Sequence, residues 1–173
     1  MKQLIALLLL SLHGCGSSSP TDPGTTPSVV PLVTIPVSEL DAYVAEVAKT
    51  FVTVGVMIDE YTAISQDWAN GATPQYWTQQ YTLNLLKRVD ILQETVRGVR
   101  PGHAELLRIH TEYEEALVDY KTAFQMFLDQ TRMAVPVLTD ELAYKLADGN
   151  VHLIRYQVLL SQLAGREIGF LRR

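Results

Sequence analysis

The sequence predicts an all-α protein, folded as an antiparallel up-down-up-down four-helix bundle. Apolar residues recur every three or four positions through four long segments between residues 38 and 170, which is the spacing of one helix face. Glycine and proline interrupt this pattern at three places, where the chain is expected to turn. The intervening loops are short, so consecutive helices must be antiparallel neighbours.

Capping and turn signals delimit the first two helices. The first is expected to begin at Ser38, an N-cap with Asp41 three residues later, and to end at Asn70-Gly71. Its apolar face comprises Leu40, Val44, Val47, Phe51, Val54, Ile58, Tyr61, Ser65 and Trp68. The second should open at Thr73-Pro74, with proline at the first helical position, and break at residues 98–102. Its apolar face comprises Trp77, Tyr81, Leu85, Val89, Leu92, Val96 and Val99.

The third and fourth helices follow the same pattern. The third is expected to end before Pro136, because the residue preceding a proline avoids helical angles. Its apolar face comprises Leu106, His110, Tyr113, Leu117, Tyr120, Phe124, Phe127 and Thr131. The fourth should run from about Thr139 to Phe170, with possible bends at Gly149 and Gly165. Its apolar face comprises Leu142, Leu146, Leu153, Tyr156, Leu160 and Leu163.

The N-terminus has the pattern of an export signal. A short positive start is followed by an apolar stretch, residues 4–10, that is too short to cross a hydrocarbon core of ~30 Å. The next residues, Leu12-His13-Gly14-Cys15, resemble the lipobox of bacterial lipoproteins, although His13 departs from the small residue common at its position. The resemblance implies that residues 1–14 are a removable signal peptide and that the thiol of Cys15 carries lipid. In general style, the rest of the chain is similar to helical-bundle lipoproteins.

A tether is predicted between the lipid and the bundle, which itself occupies residues 38–173. Residues 15–37 contain five of the eight prolines, and the first half of this segment is rich in glycine, serine and threonine. The second half, residues 29–37, is apolar, so we expect it to lie extended in a groove of the bundle or, alternatively, against the membrane or a partner. The resemblance implies membrane attachment through Cys15. Gly16, where aspartate would signal inner-membrane retention, favours the outer membrane in a cell with two membranes.

Composition excludes several classes of function. The formal net charge is −5 and no basic stripe is evident, which argues against nucleic-acid binding. Cys15 is the only cysteine, so no disulfide or thiolate site is expected. No phosphate-binding glycine loop and no convincing catalytic spacing is present, and we expect a protein that is not an enzyme.

His110, His103 and Glu167 are the candidate ligand-binding residues. His110 falls on the apolar face of the third helix, His103 lies one heptad earlier, and Glu167 is expected about one turn from the level of His110. A buried histidine beside a carboxylate can hold a ligand or respond to pH, although a histidine satisfied by Glu167, a tyrosine or water is the simpler interpretation. The histidines do not converge, so no metal site and no cofactor is expected. The three glutamates at residues 112, 114 and 115 are interpreted as a solvated face.

Trp68, Tyr76 and Trp77 are the candidate partner-binding residues. They flank the loop at the end of the bundle that points away from the anchor, and tryptophan and tyrosine are enriched at binding hot spots. The alternative is that both tryptophans cap the core. These observations lead us to expect a lipid-anchored envelope protein with a non-catalytic interaction, accessory or structural role. The other possibility is a binding module that holds a small apolar ligand, haem or metal between its helices.

Overall fold

The protein is an all-α four-helix bundle. The computed structural model describes residues 35–133 and 137–169, and the predicted signal peptide, Cys15 and most of the tether lie outside them. The four helices are α1 (Val37–Ala69), α2 (Gln75–Gly98), α3 (Ala104–Gln130) and α4 (Asp140–Ala164). None of these described helices combines the length and the apolar character that a membrane crossing requires.

The helices alternate in direction, as the short loops predict. Ion pairs mark the register around the bundle: Glu60–Arg88, Asp90–Lys121, Asp119–Lys145 and, just beyond the end of α4, Asp41–Arg166. These ion pairs are partly or largely solvent-exposed, so each contributes only ~0–1 kcal/mol to the stability of the fold. They do show which residues of neighbouring helices lie side by side. The contact between α3 and α4 is the most extensive in the bundle, and the contact between α1 and α2 is the least extensive among consecutive helices.

Aromatic rings fill the interior along its length. The predicted apolar face of α3 is buried at every position from Leu106 to Thr131. In the middle of the bundle, Phe51, Tyr113 and Tyr156 form a cluster with ring centroids 5.1–5.6 Å apart. Towards the α1–α2 loop, Tyr61 stacks on Phe124 at 5.2 Å. Ring pairs at such separations contribute about 0.5–1.5 kcal/mol each beyond their burial.

The predicted apolar face of α2 is wrong at its N-terminal end. Trp77 and Tyr81 are 55% and 54% exposed, and Thr78 and Thr82 are fully buried in their place. Each threonine hydroxyl donates to the backbone carbonyl four residues earlier, Thr78 to Pro74 at 3.3 Å and Thr82 to Thr78 at 2.7 Å. Threonine can therefore be buried here without losing a hydrogen bond. The helix consequently turns its aromatic residues outward.

Three of the predicted helix ends also need correction. Helix α1 begins at Val37, after an N-cap at Pro36 that makes no side-chain hydrogen bond, so Ser38 does not cap it. Pro74 is the N-cap of α2 rather than its first residue. Helix α4 ends at Ala164 rather than near Phe170, because Gly165 adopts a φ of +61°, the left-handed conformation that ends many helices.

Gly149, a predicted bend, lies inside the continuous helix α4, where the helix packs directly on the Tyr120 ring of α3. A Cβ atom on Gly149 would lie 2.9 Å from Cε1 of Tyr120. The Tyr120 ring is itself buried and donates its hydroxyl to Oδ1 of Asn150 at 2.8 Å. The missing side chain is therefore what allows α4 to pack against this ring.

Candidate functional site

His110 lies in the interior, at the centre of a hydrogen-bonded chain that involves all four helices. Its Nδ1 atom is 2.9 Å from the hydroxyl of Tyr43 on α1, and its Nε2 atom is 3.0 Å from the carbonyl oxygen of Val96 on α2. The Tyr43 oxygen in turn accepts from the hydroxyl of Tyr156 on α4, at 3.1 Å. Only 2% of the His110 surface is exposed. We call this set of groups the histidine relay.

The protons of the histidine relay have one consistent arrangement. A backbone carbonyl can only accept, so the Nε2 atom of His110 must carry a proton and donate it to Val96. In the neutral imidazole, Nδ1 is then unprotonated and accepts from Tyr43, whose oxygen accepts from Tyr156. Burial lowers the pKa of His110, and this effect outweighs the Val96 carbonyl and the Glu114 carboxylate, which both act to raise it. The imidazole is therefore held neutral, with both nitrogens engaged.

His103 and Glu167 do not join His110 in a single site. His103 is the N-cap of α3, where its Nδ1 accepts from the backbone N–H of Glu105 at 3.2 Å. Glu167 is exposed beyond the end of α4. Of the three simple partners considered for His110, the structure supplies tyrosine, namely Tyr43.

Of the three candidate partner-binding residues, two are accessible. Trp68 is 3% exposed and packs edge-on against Phe127, with ring centroids 5.5 Å apart. Tyr76 and Trp77 are 61% and 55% exposed and form an edge-to-face pair at 5.3 Å. Trp68 therefore completes the core, whereas Tyr76 and Trp77 present aromatic surface to solvent. A partner-binding role stays a prediction for these two.

A groove between α1 and α2 runs beside Trp77. It has a volume of about 600 Å³ and is lined by Glu60, Ala63, Ile64, Trp77, Gln80, Tyr81, Asn84 and Arg88. The ion pair between Arg88 and Glu60 bridges the two helices at one end. We call this feature the aromatic groove. Sequence reasoning missed Tyr81 as a surface residue because aromatic residues at helical spacing are usually buried.

A second, shallower depression continues along the same two helices beyond Arg88. Its volume is about 300 Å³, and its lining includes Lys49, Thr53, Ile91 and Thr95. Both depressions lie where consecutive helices make their least extensive contact. The α1–α2 side of the bundle therefore presents a concave surface.

A polar cluster of a different kind lies between α3 and α4. The Nδ1 atom of His152 is 2.8 Å from Oε2 of Glu112 and 3.2 Å from Oε2 of Glu115. Its Nε2 atom is 3.9 Å from Oδ2 of Asp119. The interpretation of residues 112–115 as a solvated face is therefore wrong for Glu112, whose side chain is only 16% exposed. Glu112, Glu115 and Asp119 are spaced i, i+3 and i+7 and therefore share one face of α3. This spacing is the sequence signal that could have indicated the cluster.

The geometry thus defines a small four-helix bundle with a closed polar relay inside and an open aromatic groove on its surface. No protein-family model matches the sequence, and neither a curated protein nor a solved structure matches it at a significant level.

Proposed function

We propose that this protein is a lipid-anchored lipoprotein of the bacterial envelope, whose bundle binds a partner protein without catalysing a reaction. The lipobox-like residues Leu12 to Cys15 support the anchor, and the proline-rich tether supports a bundle presented at a distance from the membrane. Gly16 after the cysteine favours the outer membrane where two membranes exist. The aromatic groove is the surface proposed to bind the partner.

The observation that carries the interaction role is the exposure of large aromatic side chains around a concave surface. Trp77 and Tyr81, which line the groove, and Tyr76, which packs on Trp77, are each more than half exposed, although tyrosine and tryptophan are costly to leave in water. These residue types dominate the binding energy of protein interfaces, especially where they border a pocket. The groove beside Trp77 supplies such a pocket, and Ala63 and Ile64 contribute apolar lining.

The interior of the bundle gives less support to a ligand-binding role. Both nitrogens of His110 already have protein partners, so haem or metal ligation there would first require one of those bonds to break. A void deeper in the core, lined by Val54, Leu92 and Phe124 among others, is too small to admit a water molecule. A small apolar ligand remains the second candidate at the aromatic groove, because about 600 Å³ lies within the usual range of ligand pockets.

Site-specific photocrosslinking in the producing cells tests the interaction role. A photoreactive amino acid replaces Tyr81 in the full chain, and the control replaces Ile154, which is 60% exposed on α4. A discrete protein adduct is expected at position 81, to be absent at 154, and to decrease when Trp77→Ala is added. Equal labelling at both positions, or an adduct that Trp77→Ala leaves unchanged, would overturn the groove as the contact surface.

The anchor is tested separately with the Cys15→Ser variant of the full chain. The unaltered chain should incorporate labelled palmitate and sediment with membranes at high salt, and the variant should lose both properties. If the variant sediments with membranes as completely as the unaltered chain does, lipid attachment at Cys15 is contradicted. The two experiments are independent, so the interaction role can fail while the anchor stands.

A further inference from the structure

The cluster around His152 has the composition of a transition-metal site. We propose that Glu112, Glu115 and His152 bind one divalent transition metal ion of the zinc class, between α3 and α4. This inference does not depend on the proposed interaction role or on the anchor. The acidic residues alone would not support it, because carboxylates on helix surfaces are common without a metal. This cluster differs because it also contains the imidazole of His152, whose second nitrogen lies near the carboxylate of Asp119.

The distances among the three ligand atoms are close to those that a metal imposes. Ligands at about 2.0–2.1 Å from a tetrahedral zinc ion lie about 3.3 Å from one another. The two carboxylate oxygens of Glu112 and Glu115 are 2.8 and 3.2 Å from Nδ1 of His152. All three ligand atoms lie within 4.8 Å of one another. Small rotations of the glutamate side chains would therefore complete three corners of the coordination shell.

The other nitrogen of His152 has a carboxylate nearby, just beyond hydrogen-bond distance. Oδ2 of Asp119 lies 3.9 Å from Nε2, and its side chain is only 14% exposed. A ligating histidine usually donates its free N–H to such a group, which fixes the tautomer and strengthens the ligand. A shift of less than ~1 Å would bring Asp119 within hydrogen-bond distance of Nε2, so the proposal assigns it a positioning role. Lys145 lies 3.2 Å from the other oxygen of Asp119 and keeps that carboxylate in place.

The charges of the cluster also favour a divalent cation. Without a metal, two anionic oxygens approach one imidazole nitrogen, which has at most one proton to donate. Around them, Asp119 and Asp148 add negative charge, and Lys145 and Arg155 add positive charge. With His152 neutral, the four carboxylates outnumber the two cations by two. A divalent ion would balance this charge and satisfy both glutamates together.

The ligand set selects the class of metal. Imidazole nitrogen with carboxylate oxygen suits Zn²⁺, Cu²⁺ or Ni²⁺, whereas Mg²⁺ and Ca²⁺ prefer oxygen alone. Three protein ligands leave a fourth position for water.

Isothermal titration of the metal-free full-length protein with ZnCl₂ tests the proposal, and cobalt absorption spectra provide a second readout. One ion per chain is expected, with a visible Co²⁺ spectrum of low-symmetry coordination. His152→Gln and Glu112→Gln should each abolish detectable binding, and Asp119→Asn should weaken it about tenfold. Glu114→Gln is the matched control, because it removes the same charge from the same helical turn but lies outside the cluster.

Three outcomes would overturn the proposal. One is no saturable binding of Zn²⁺, and another is binding that Glu114→Gln weakens as much as Glu112→Gln does. The third is equal affinity for Mg²⁺, which would indicate an unspecific attraction to negative charge. Circular dichroism of each variant guards against loss of fold, since Glu112 and His152 also join two helices. None of these outcomes bears on photocrosslinking at Tyr81, so the two proposals fail separately.

Discussion

Gly149→Ala should destabilise this bundle, although alanine is the better helix former. The substitution gains ~1 kcal/mol of helix propensity inside α4. The new methyl group would, however, lie 2.9–3.1 Å from three atoms of the Tyr120 ring, closer than nearly all Cβ contacts in folded proteins. Tyr120 is 1% exposed and its hydroxyl is bonded to Asn150, so the ring cannot swing away cheaply.

The expected magnitude follows from these opposing terms. Overpacking a well-filled core costs ~1–3 kcal/mol. After subtraction of the propensity gain, the net loss is about 1 kcal/mol, which corresponds to a decrease in Tm of about 2–4 °C for a domain of this size. Urea unfolding followed by circular dichroism measures this difference directly. Gly98→Ala is the control, because a Cβ atom there meets nothing within 4 Å.

A second substitution, at Tyr120, tests whether contact with its ring causes the loss. Tyr120→Val removes all three ring atoms that the Gly149 methyl group would meet. In that background, Gly149→Ala should recover the propensity gain and become stabilising by ~1 kcal/mol. The sign of its effect should thus reverse between the two backgrounds. If Gly149→Ala stabilises the unaltered protein, or destabilises both backgrounds equally, the close approach to Tyr120 does not explain this glycine.

The remaining predictions concern the interior and its ends. Tyr43→Phe should lower the free energy of unfolding by ~1–3 kcal/mol, because Nδ1 of His110 loses its donor while still buried; an unchanged urea midpoint would contradict this. Burial lowers the pKa of His110, so the unfolded chain takes up its proton first. Stability should therefore fall as the pH drops below about 6.5, by at most ~1.4 kcal/mol per pH unit. Urea titrations from pH 7 to 5 should show a shallower slope in His110→Gln, and equal slopes would exclude this residue as the cause. Trp68→Ala should cost ~3–5 kcal/mol and Trp77→Ala less than ~1 kcal/mol, because only the first is buried; equal losses in thermal unfolding would refute this assignment.

Periodicity was sufficient to predict the fold and most of the core. Every residue predicted for the apolar face of α3 is buried, because one series of residues there is both strongly apolar and regularly spaced; the buried face also takes in Ile109 and Leu128, which that series left out. In α2, two adjacent series compete: Trp77 and Tyr81 are more apolar, whereas Thr78 and Thr82 are the residues that the core accepts. Their hydroxyls are satisfied within the helix, a compensation that a hydrophobicity pattern does not register.

The candidate sites were harder to predict, because they depend on the register between helices. His110 was correctly placed in the core, but its partner Tyr43 lies 67 residues away in the sequence. The approach of His152 to Glu112 likewise depends on the axial register of α4 against α3. The spacing of side chains within one helix carries no information about the axial position of that helix relative to its neighbour.

The intimate contact between α3 and α4 has a consequence for the order in which the bundle assembles. These two helices are consecutive, so their contacts require only a short loop to close. We expect this hairpin to form early and to be the last part to open in native-state hydrogen exchange. Helix α1 would then dock last, when Tyr43 meets Tyr156 and His110 and the polar chain closes. The hydrogen bonds that satisfy the buried histidine would thus form only when all four helices are correctly aligned along the bundle axis.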